Sequence, residues 1–181
     1  MDRENKLSKV ASENVILIGM FGSGKSTIGR LLAEKLRYYF LDVDQLIESH
    51  YRKSLQKVLD ELGMKKFMKM ESQTLRKLET RKCVIAPGGS AVYYPLAMQH
   101  LKKLGPKIYL EVSLRELKKR IPSWDQRGVV CRGGHTLDEL YRERVPLYQR
   151  YADITISCSN QSTAKVISTI LKKINHGLIA S

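Results

Sequence analysis

The sequence predicts an α/β fold, a five-stranded parallel sheet flanked by helices. Short segments rich in β-branched or aromatic residues alternate along the chain with longer segments whose apolar residues recur at helical spacing. The sequence has no internal repeat or low-complexity linker that would interrupt this alternation. With 181 residues, 43% of them hydrophobic, the chain is long enough for one well-buried domain. We therefore expect a single domain over residues 1–181.

Five segments are candidate strands because they are short and rich in residues that favour β-structure. In chain order they are NVILIG, YYFLDV, KCVIAP, KIYLEV and DITISC. Helical spacing of apolar residues predicts helices in TIGRLLAEKLR, FMKMESQTLRKLE, PLAMQHLKKL, SLRELKKRI and TAKVISTILKKI. Strands that alternate with helices in this way are typical of a parallel sheet.

Two regions depart from simple alternation. A helical insert separates the second and third strands, at about residues 45–80. Between the fourth and fifth strands, a glycine-containing loop at about residues 123–135 is predicted to be a mobile lid. A helix follows it, with Thr136 and Glu139 as a capping box. Insertions in these places on a parallel sheet are natural positions for an acceptor-binding region and a lid.

The chain is strongly basic, with a formal net charge of +14 and a pI of about 9.8. Such a balance indicates either affinity for anions, including nucleotide phosphates and nucleic acid, or simply lysine-rich solvated helices. The lysines are scattered along amphipathic segments, form no dense basic block and have few aromatic neighbours. The charge alone therefore favours no function, and we do not expect a nucleic-acid partner.

The sequence also bears on location. The first residues are polar and charged and lack the apolar core of a signal peptide. The run VILIGMF is too short to cross a bilayer. The three cysteines, Cys83, Cys131 and Cys158, are widely spaced and odd in number, as expected of reduced thiols. We expect a cytoplasmic protein with no membrane partner.

The strongest functional motif is GMFGSGKST at residues 19–27, directly after the first strand candidate. It matches G-x-x-x-x-G-K-[ST], with a strand before it and a helix after it. In such a loop backbone N–H groups surround phosphate oxygens, and the helix N-terminus adds a partial positive charge. A lysine reaches the terminal phosphates, and a serine hydroxyl coordinates Mg²⁺. The predicted ATP-binding residues here are Gly19, Gly22, Ser23, Gly24, Lys25, Ser26 and Thr27.

Two acidic residues follow the second strand, Asp42 and Asp44 in FLDVDQ. Alternation along a strand predicts that both side chains point to the same side, at the carboxyl end where ligands bind in parallel sheets. One carboxylate could support Mg²⁺ while the other accepts a hydrogen bond from a substrate hydroxyl. The alternative is that one of them merely caps the next helix.

With these features the chain resembles the shikimate kinase family, a branch of the P-loop kinases related to nucleoside monophosphate kinases. The resemblance covers nearly the whole length and is specific through its combination of motifs. Those motifs are GMFGSGKST, LDVD, PGGS, the lid arginines Arg120 and Arg127, and ERVPLYQRYAD. The resemblance implies a P-loop kinase fold with a helical substrate-binding insert and a mobile lid.

The resemblance also implies a role for each matching residue. Lys25 and Ser26 bind phosphate and Mg²⁺, with Asp42 near the metal. Asp44 accepts hydrogen bonds from the acceptor and orients the attacking hydroxyl. The implied catalytic residues are Lys25, Asp44 and Arg127.

The remaining implied contacts lie on either side of the transferred phosphoryl group. Gly88 and Gly89 bring backbone close to the substrate. Arg127 closes over the phosphoryl group, and Arg120 lies near the adenine. Arg144 pairs with the substrate carboxylate, since a guanidinium matches a carboxylate bidentately.

Two positions depart from the family pattern. The family segment G-E-x-x-F-R-x-x-E contains an arginine that binds the shikimate carboxylate, whereas this chain has GMKKFMKME with Met68 at that place. Lys66 and Lys69 are the nearest replacements in the sequence. The family's glycine triplet ends here in Ser90, which adds a Cβ and a hydroxyl where backbone and substrate nearly touch.

The function we predict is ATP-dependent phosphorylation of a hydroxyl on a small carboxylated metabolite. Shikimate, converted to shikimate 3-phosphate in aromatic amino-acid biosynthesis, is the leading acceptor, and a monomer is expected. One alternative is a related phosphotransferase with a different hydroxylated acceptor, motivated by Met68 and Ser90. Another is a nucleotide-binding protein without kinase activity that acts on nucleic acid or a protein partner. Tyr93 and Tyr94 either border the acceptor pocket or face the core.

Overall fold

The computed structural model describes residues 14–121 and 136–179. Five strands form one sheet in the order β2-β3-β1-β4-β5, and every neighbouring pair is parallel. The strands are β1 (Val15–Ile18), β2 (Tyr39–Asp42), β3 (Cys83–Ala86), β4 (Lys107–Glu111) and β5 (Ile154–Ser157). The predicted five-stranded parallel sheet is confirmed.

Helices connect the strands as the periodicity predicted. They are α1 (Lys25–Leu36), α2 (Val43–Tyr51), α3 (Leu55–Leu62), α4 (Met64–Arg76), α5 (Pro95–Leu104), α6 (Leu114–Arg120), α7 (Leu137–Tyr151) and α8 (Thr163–Ile179), with a 3₁₀ helix η1 (Ala91–Tyr93) before α5. Helices α2 to α4 lie between β2 and β3 along the chain. Thr136 caps α7 through the predicted capping box with Glu139. This cap fixes the start of the helix that carries the carboxylate-binding candidate Arg144.

The core is centred on β1 and its neighbours β3 and β4. Every residue of β1 and β3 is buried. Consecutive buried residues point to opposite faces of a sheet, so helices must cover both faces, and the strands are accordingly almost continuously apolar. The edge strand β2 is different, because Tyr39 is 79% exposed. A smaller apolar cluster around Val58 and Phe67 joins α3 to α4.

Parallel pairing places three functional segments at one edge of the sheet. The carboxyl end of β1 leads into the phosphate loop, residues 19–27. Strand β2 ends at Asp42, and β3 leads into the glycine turn, which we define as residues 88–90. Ligands of open α/β sheets bind in the crevice outside the carboxyl ends of the strands. The fold therefore brings together segments that are far apart in the sequence.

Within the described parts of the chain, no helix has both the length and the apolar character needed to cross a membrane.

Candidate active site

The phosphate loop turns sharply into α1. Gly24 is the N-cap of this helix and has a φ of 94°, in the left-handed region that favours glycine. The helix begins at Lys25, as predicted, so its first N–H groups face the loop. The hydroxyl of Ser23 is buried and has no hydrogen-bond partner among the described residues. The loop thus has unused donors, as a site for an anion requires.

The side chain of Lys25 is half-buried and folds back against the start of the phosphate loop. Its Nζ donates to the carbonyl oxygens of Gly19 at 2.9 Å and Met20 at 3.0 Å. Burial lowers the pKa of Lys25 to about 8, against the opposing effect of Asp44 and Asp42. A polyanion in the loop would reverse this shift, because it stabilises the charged ammonium.

Asp42 performs two tasks. Its Oδ2 accepts a hydrogen bond of 2.7 Å from the Ser26 hydroxyl. Its Oδ1 caps α2 by accepting from the backbone N–H of Asp44 at 3.2 Å and, more weakly, of Gln45 at 3.5 Å. The capping alternative is therefore correct for Asp42, and it does not prevent contact with the phosphate loop.

The Ser26–Asp42 pair fits Mg²⁺ chemically. Mg²⁺ prefers oxygen ligands and is commonly held by one or two side chains together with substrate phosphates. In the described residues, no group of three or more histidine, cysteine or acidic side chains is placed to bind a metal alone. These two oxygen-bearing side chains therefore suit a metal that arrives with a nucleotide.

Asp44 reaches the cleft from a helix, which corrects the prediction from strand alternation. The strand β2 ends at Asp42, and Asp44 lies in the first turn of α2. Burial raises the pKa of Asp44 to about 6, although Lys25 lowers it. One carboxylate oxygen, Oδ1, is buried and accepts no hydrogen bond from any described residue. The described residues thus supply no donor for this oxygen of Asp44.

A cleft of about 590 Å³ joins these residues. Besides the loop it is bordered by both aspartates and, on the far side, by Arg120, Cys158 and Gln161. Arg120 is held there by hydrogen bonds from Nε to Glu116 Oε1 at 3.1 Å and from Nη2 to the Cys158 carbonyl oxygen at 3.4 Å. Thr27, another predicted nucleotide contact, also borders the cleft and is largely exposed. Arg127 and the predicted lid lie outside the described residues.

The glycine turn lies against the acidic side of the cleft. A Cβ on Gly88 would stand 2.6 Å from Asp44 Oδ1 and 2.7 Å from Glu71 Oε1. These distances are too short for real atoms, so the turn depends on glycine at this position. A Cβ on Gly89 would stand 3.2 Å from Arg144 Nη1. The two glycines therefore connect the predicted hydroxyl-binding and carboxylate-binding residues.

Arg144 is buried to 1% exposure on α7. Its Nε donates to the Tyr93 hydroxyl at 3.0 Å, and its Cζ lies 5.0 Å from the centre of the Tyr93 ring. A buried guanidinium held by an aromatic hydroxyl is a preorganised partner for a carboxylate. Tyr93 therefore contacts the predicted carboxylate-binding residue, while Tyr94 is 7% exposed and faces inward.

Three residues of this region were not predicted as site residues: Glu71, Tyr94 and Tyr148. Glu71 is 1% exposed and accepts hydrogen bonds from Ser90 and Tyr94, and Tyr148 donates to the Gly89 carbonyl oxygen at 2.6 Å. The sequence carries one signal for Glu71, which lies four residues after Phe67 and so places an acid on the buried face of α4. Tyr148 is the first tyrosine of the ERVPLYQRYAD motif, and Tyr94 was one of two tyrosines left open between the acceptor pocket and the core.

The predicted replacements for the missing arginine do not lie at the site. Lys66 and Lys69 are exposed on α4. Met68, at the family's arginine position, is half-buried and packs against both apolar clusters. Helix α4 thus carries an apolar side chain where the family pattern has a cation.

Known proteins similar to this chain were found by sequence and by structure. A sequence model described as shikimate kinase matches residues 21–175. Shikimate kinase of Persephonella marina is 33% identical over 162 residues, covering 89% of this chain and 98% of the relative. Shikimate kinase of Clostridium botulinum is 36% identical over 163 residues, covering 87% and 94%.

Among solved structures, shikimate kinase from Acinetobacter baumannii in complex with shikimate superposes with a TM-score of 0.83 at 28% identity. The match covers 91% of this chain and 94% of that protein. The similarity extends over both sides of the cleft and is not confined to the phosphate loop. The chain belongs to the shikimate kinase family.

Proposed function

We propose that this protein transfers the γ-phosphoryl group of ATP to a hydroxyl of shikimate, giving ADP and shikimate 3-phosphate. One observation carries the proposal: the glycine turn lies between the unpartnered Asp44 oxygen and the guanidinium of Arg144, beside the phosphate loop. This arrangement offers a hydroxyl acceptor and a carboxylate partner on opposite ends of one small molecule. The family's relative from A. baumannii, solved with shikimate, supports the same acceptor.

The nucleotide side follows from the loop. Backbone N–H groups at the start of α1 and the Lys25 ammonium would bind the β- and γ-phosphates. Ser26 and Asp42 would hold Mg²⁺, which supplies charge neutralisation at the phosphates when bound. Arg120 borders the cleft on the side assigned to adenine, and Arg127 is proposed to cover the transferring group. Positioning and electrostatic stabilisation supply the rate enhancement in reactions of this type.

The acceptor side supplies orientation and a place for the proton. An ionised Asp44 would accept the hydrogen bond of the attacking hydroxyl. As that oxygen bonds to the γ-phosphorus, the bond to the β-phosphate oxygen breaks, ADP leaves, and the hydroxyl proton passes to Asp44. Arg144, held by Tyr93, would bind the acceptor carboxylate and fix which hydroxyl faces the phosphate.

The proposal extends to the organisation of the molecule. We propose a single domain over residues 1–181, in which α2 to α4 form the acceptor-binding insert and residues 123–135 a lid. The two described cysteines, Cys83 and Cys158, are buried unpaired thiols, which supports a reducing cytoplasmic setting. We propose that the protein acts as a monomer.

A second acceptor is favoured by one observation, the apolar Met68 where the family has a cation. A carboxylate held by fewer charges binds more weakly. The second candidate is therefore phosphoryl transfer to a different hydroxylated acid by the same residues.

ADP release from Mg-ATP tests both candidates. We expect strong stimulation by shikimate, and little by quinate, gluconate or homoserine. Stimulation by another member of the panel and not by shikimate would keep the reaction type and replace the acceptor. No stimulation by any of them, with the Lys25→Ala variant equally inactive, would contradict the kinase proposal itself.

A further inference from the structure

A buried carboxyl group lies beneath the glycine turn. Glu71 projects from α4 and is 1% exposed. Two hydroxyls donate to it, Ser90 Oγ to Oε1 and Tyr94 Oη to Oε2, each at 2.5 Å. Each oxygen of the carboxyl group thus has its own donor. Buried carboxyl groups require such partners, since an unsatisfied one is costly.

The partners of Glu71 are neutral. Met68, three residues earlier and on the same side of α4, carries no charge, and the lysines of this helix, Lys65, Lys66 and Lys69, are exposed. No ion pair to Glu71 is found within residues 14–121 and 136–179. Burial raises the pKa of Glu71 to about 7, while the hydrogen bonds from Ser90 and Tyr94 and, to a smaller extent, the charge of Arg144 act in the opposite direction. The two hydroxyls are the direct hydrogen-bond partners of this carboxyl group.

The same contacts fix the glycine turn in space. Ser90 ends the turn, and Tyr94 follows η1, so Glu71 holds the segment at both ends of the 3₁₀ helix. A Cβ on Gly88 would stand 2.7 Å from Glu71 Oε1 and 2.6 Å from Asp44 Oδ1, so the Gly88 backbone fills the gap between the two acids. Movement of Ser90 away from Glu71 would widen that gap. The acceptor contacts of Asp44 depend on its width.

We propose that Ser90 and Tyr94 are positioning residues that act through Glu71 to hold the glycine turn against Asp44, in place of a charged partner for Glu71. The inference rests on the proposed function, because it concerns the acceptor side of that reaction. The inference assigns a structural role to Ser90, one of the two residues that differ from the family pattern, and places that role on α4, where the other residue, Met68, lies. Met68, one turn before Glu71 on α4, offers no hydrogen-bond donor, whereas the hydroxyl that Ser90 adds to the glycine turn donates to Glu71 Oε1.

Single-oxygen deletions test the proposal with little disturbance of packing. We expect Ser90→Ala and Tyr94→Phe each to raise the shikimate KM about tenfold, as for loss of a buried hydrogen bond. The ATP KM should stay within about twofold, because the phosphate loop makes none of these contacts. Ser72→Ala, next to Glu71 on α4, and Tyr39→Phe, on the exposed edge strand, are matched controls that should leave both constants unchanged.

Variants of Glu71 separate a hydrogen-bonding role from simple packing. Glu71→Gln keeps one oxygen to accept and an amide to donate, so it should stay within about threefold of the parent shikimate KM. Glu71→Leu fills similar volume without polar atoms and should raise it more than tenfold. A Gln variant as impaired as the Leu variant would contradict the proposal. If Glu71→Leu does not fold, the shikimate KM values of Glu71→Gln, Ser90→Ala and Tyr94→Phe still test the proposal.

The kinetic experiments separate failure of the proposed function from failure of the role proposed for Ser90 and Tyr94. A parent protein that shikimate does not stimulate would reject the function before any variant is compared. A stimulated parent whose Ser90→Ala and Tyr94→Phe variants keep the shikimate KM would overturn the inference alone. Equal increases in both the shikimate and ATP constants would also overturn it, because they would show general loss of structure.

Discussion

The nucleotide side and the acceptor side of the cleft are built in different ways. The nucleotide side comes almost entirely from one contiguous stretch, residues 19–27, whose backbone is shaped by its own glycines. The acceptor side takes single residues from α2, α4, the glycine turn and α7, and buried hydrogen bonds hold them together. Local sequence thus specifies the nucleotide side of the cleft, whereas tertiary packing specifies the side proposed to bind the phosphoryl acceptor. Substitutions on the two sides should therefore have different kinetic signatures.

The largest effect is expected on the nucleotide side. Lys25→Ala should lower kcat about 100-fold or more with every acceptor. The substitution removes a cation that would stabilise the negative charge developing on the phosphoryl group in the transition state. Steady-state ADP release measures this. Lys35→Ala, an exposed lysine on the same helix, is the matched control and should be unchanged. A Lys25→Ala protein with near-parental kcat would remove the basis for assigning the loop.

A smaller and more selective effect is expected at the glycine turn. In Gly88→Ala the new Cβ must displace the carboxylates of Asp44 or Glu71, which approach to 2.6 and 2.7 Å. We expect the shikimate KM to rise about tenfold, as for overpacking of a well-filled site. The ATP KM, measured in the same experiment, serves as the internal control. If both constants rose together, the two sides of the cleft would not be separable.

Acid should impair the acceptor side through Asp44. Burial raises the pKa of Asp44 to about 6, and only the ionised form accepts a hydrogen bond from the attacking hydroxyl. The shikimate kcat/KM should therefore fall as the pH drops below about 6, approaching tenfold per pH unit. In Asp44→Asn the residual activity should lack this limb. An acid limb near pH 4 in the parent protein would contradict the role of burial.

The smallest expected effect is on stability. The pKa of Glu71 is raised from 4.5 to about 7, so between these values the folded protein keeps a proton that the unfolded chain releases. The contribution of Glu71 to the free energy of unfolding is therefore full below pH 4.5 and is lost as the pH rises through 7. Gln has no such dependence. The Tm of Glu71→Gln minus that of the parent should increase by about 6 °C between pH 5 and pH 8.

A Tm difference that stays constant between pH 5 and pH 8 would show that Glu71 ionises normally in the folded protein. Such a constant difference between the Tm of Glu71→Gln and that of the parent would reflect a change in packing alone. Differential scanning fluorimetry without nucleotide gives both values.

The same contrast explains what could be predicted from the sequence. The strands and the start of α1 at Lys25 follow from patterns within short windows, so periodicity and the loop motif were sufficient. Asp44 borders the cleft as predicted but for a different reason, because Asp42 caps α2 and ends the strand one residue before the predicted Val43. The network of Glu71, Ser90 and Tyr94 spans 19 and 23 residues of chain. Contacts at such separation leave no periodic signal.

The dual hydrogen bonding of Asp42 has a consequence for how the two substrates affect each other. One oxygen contacts Ser26 in the phosphate loop and the other holds the backbone of Asp44. A ligand that draws the Ser26 hydroxyl away from Asp42 alters the restraint on the first turn of α2, and so on the acceptor carboxylate. Linkage makes such an influence reciprocal, so the factor by which nucleotide changes acceptor affinity equals the factor by which acceptor changes nucleotide affinity. A single side chain, Asp42, thereby connects the phosphate loop to the first turn of α2.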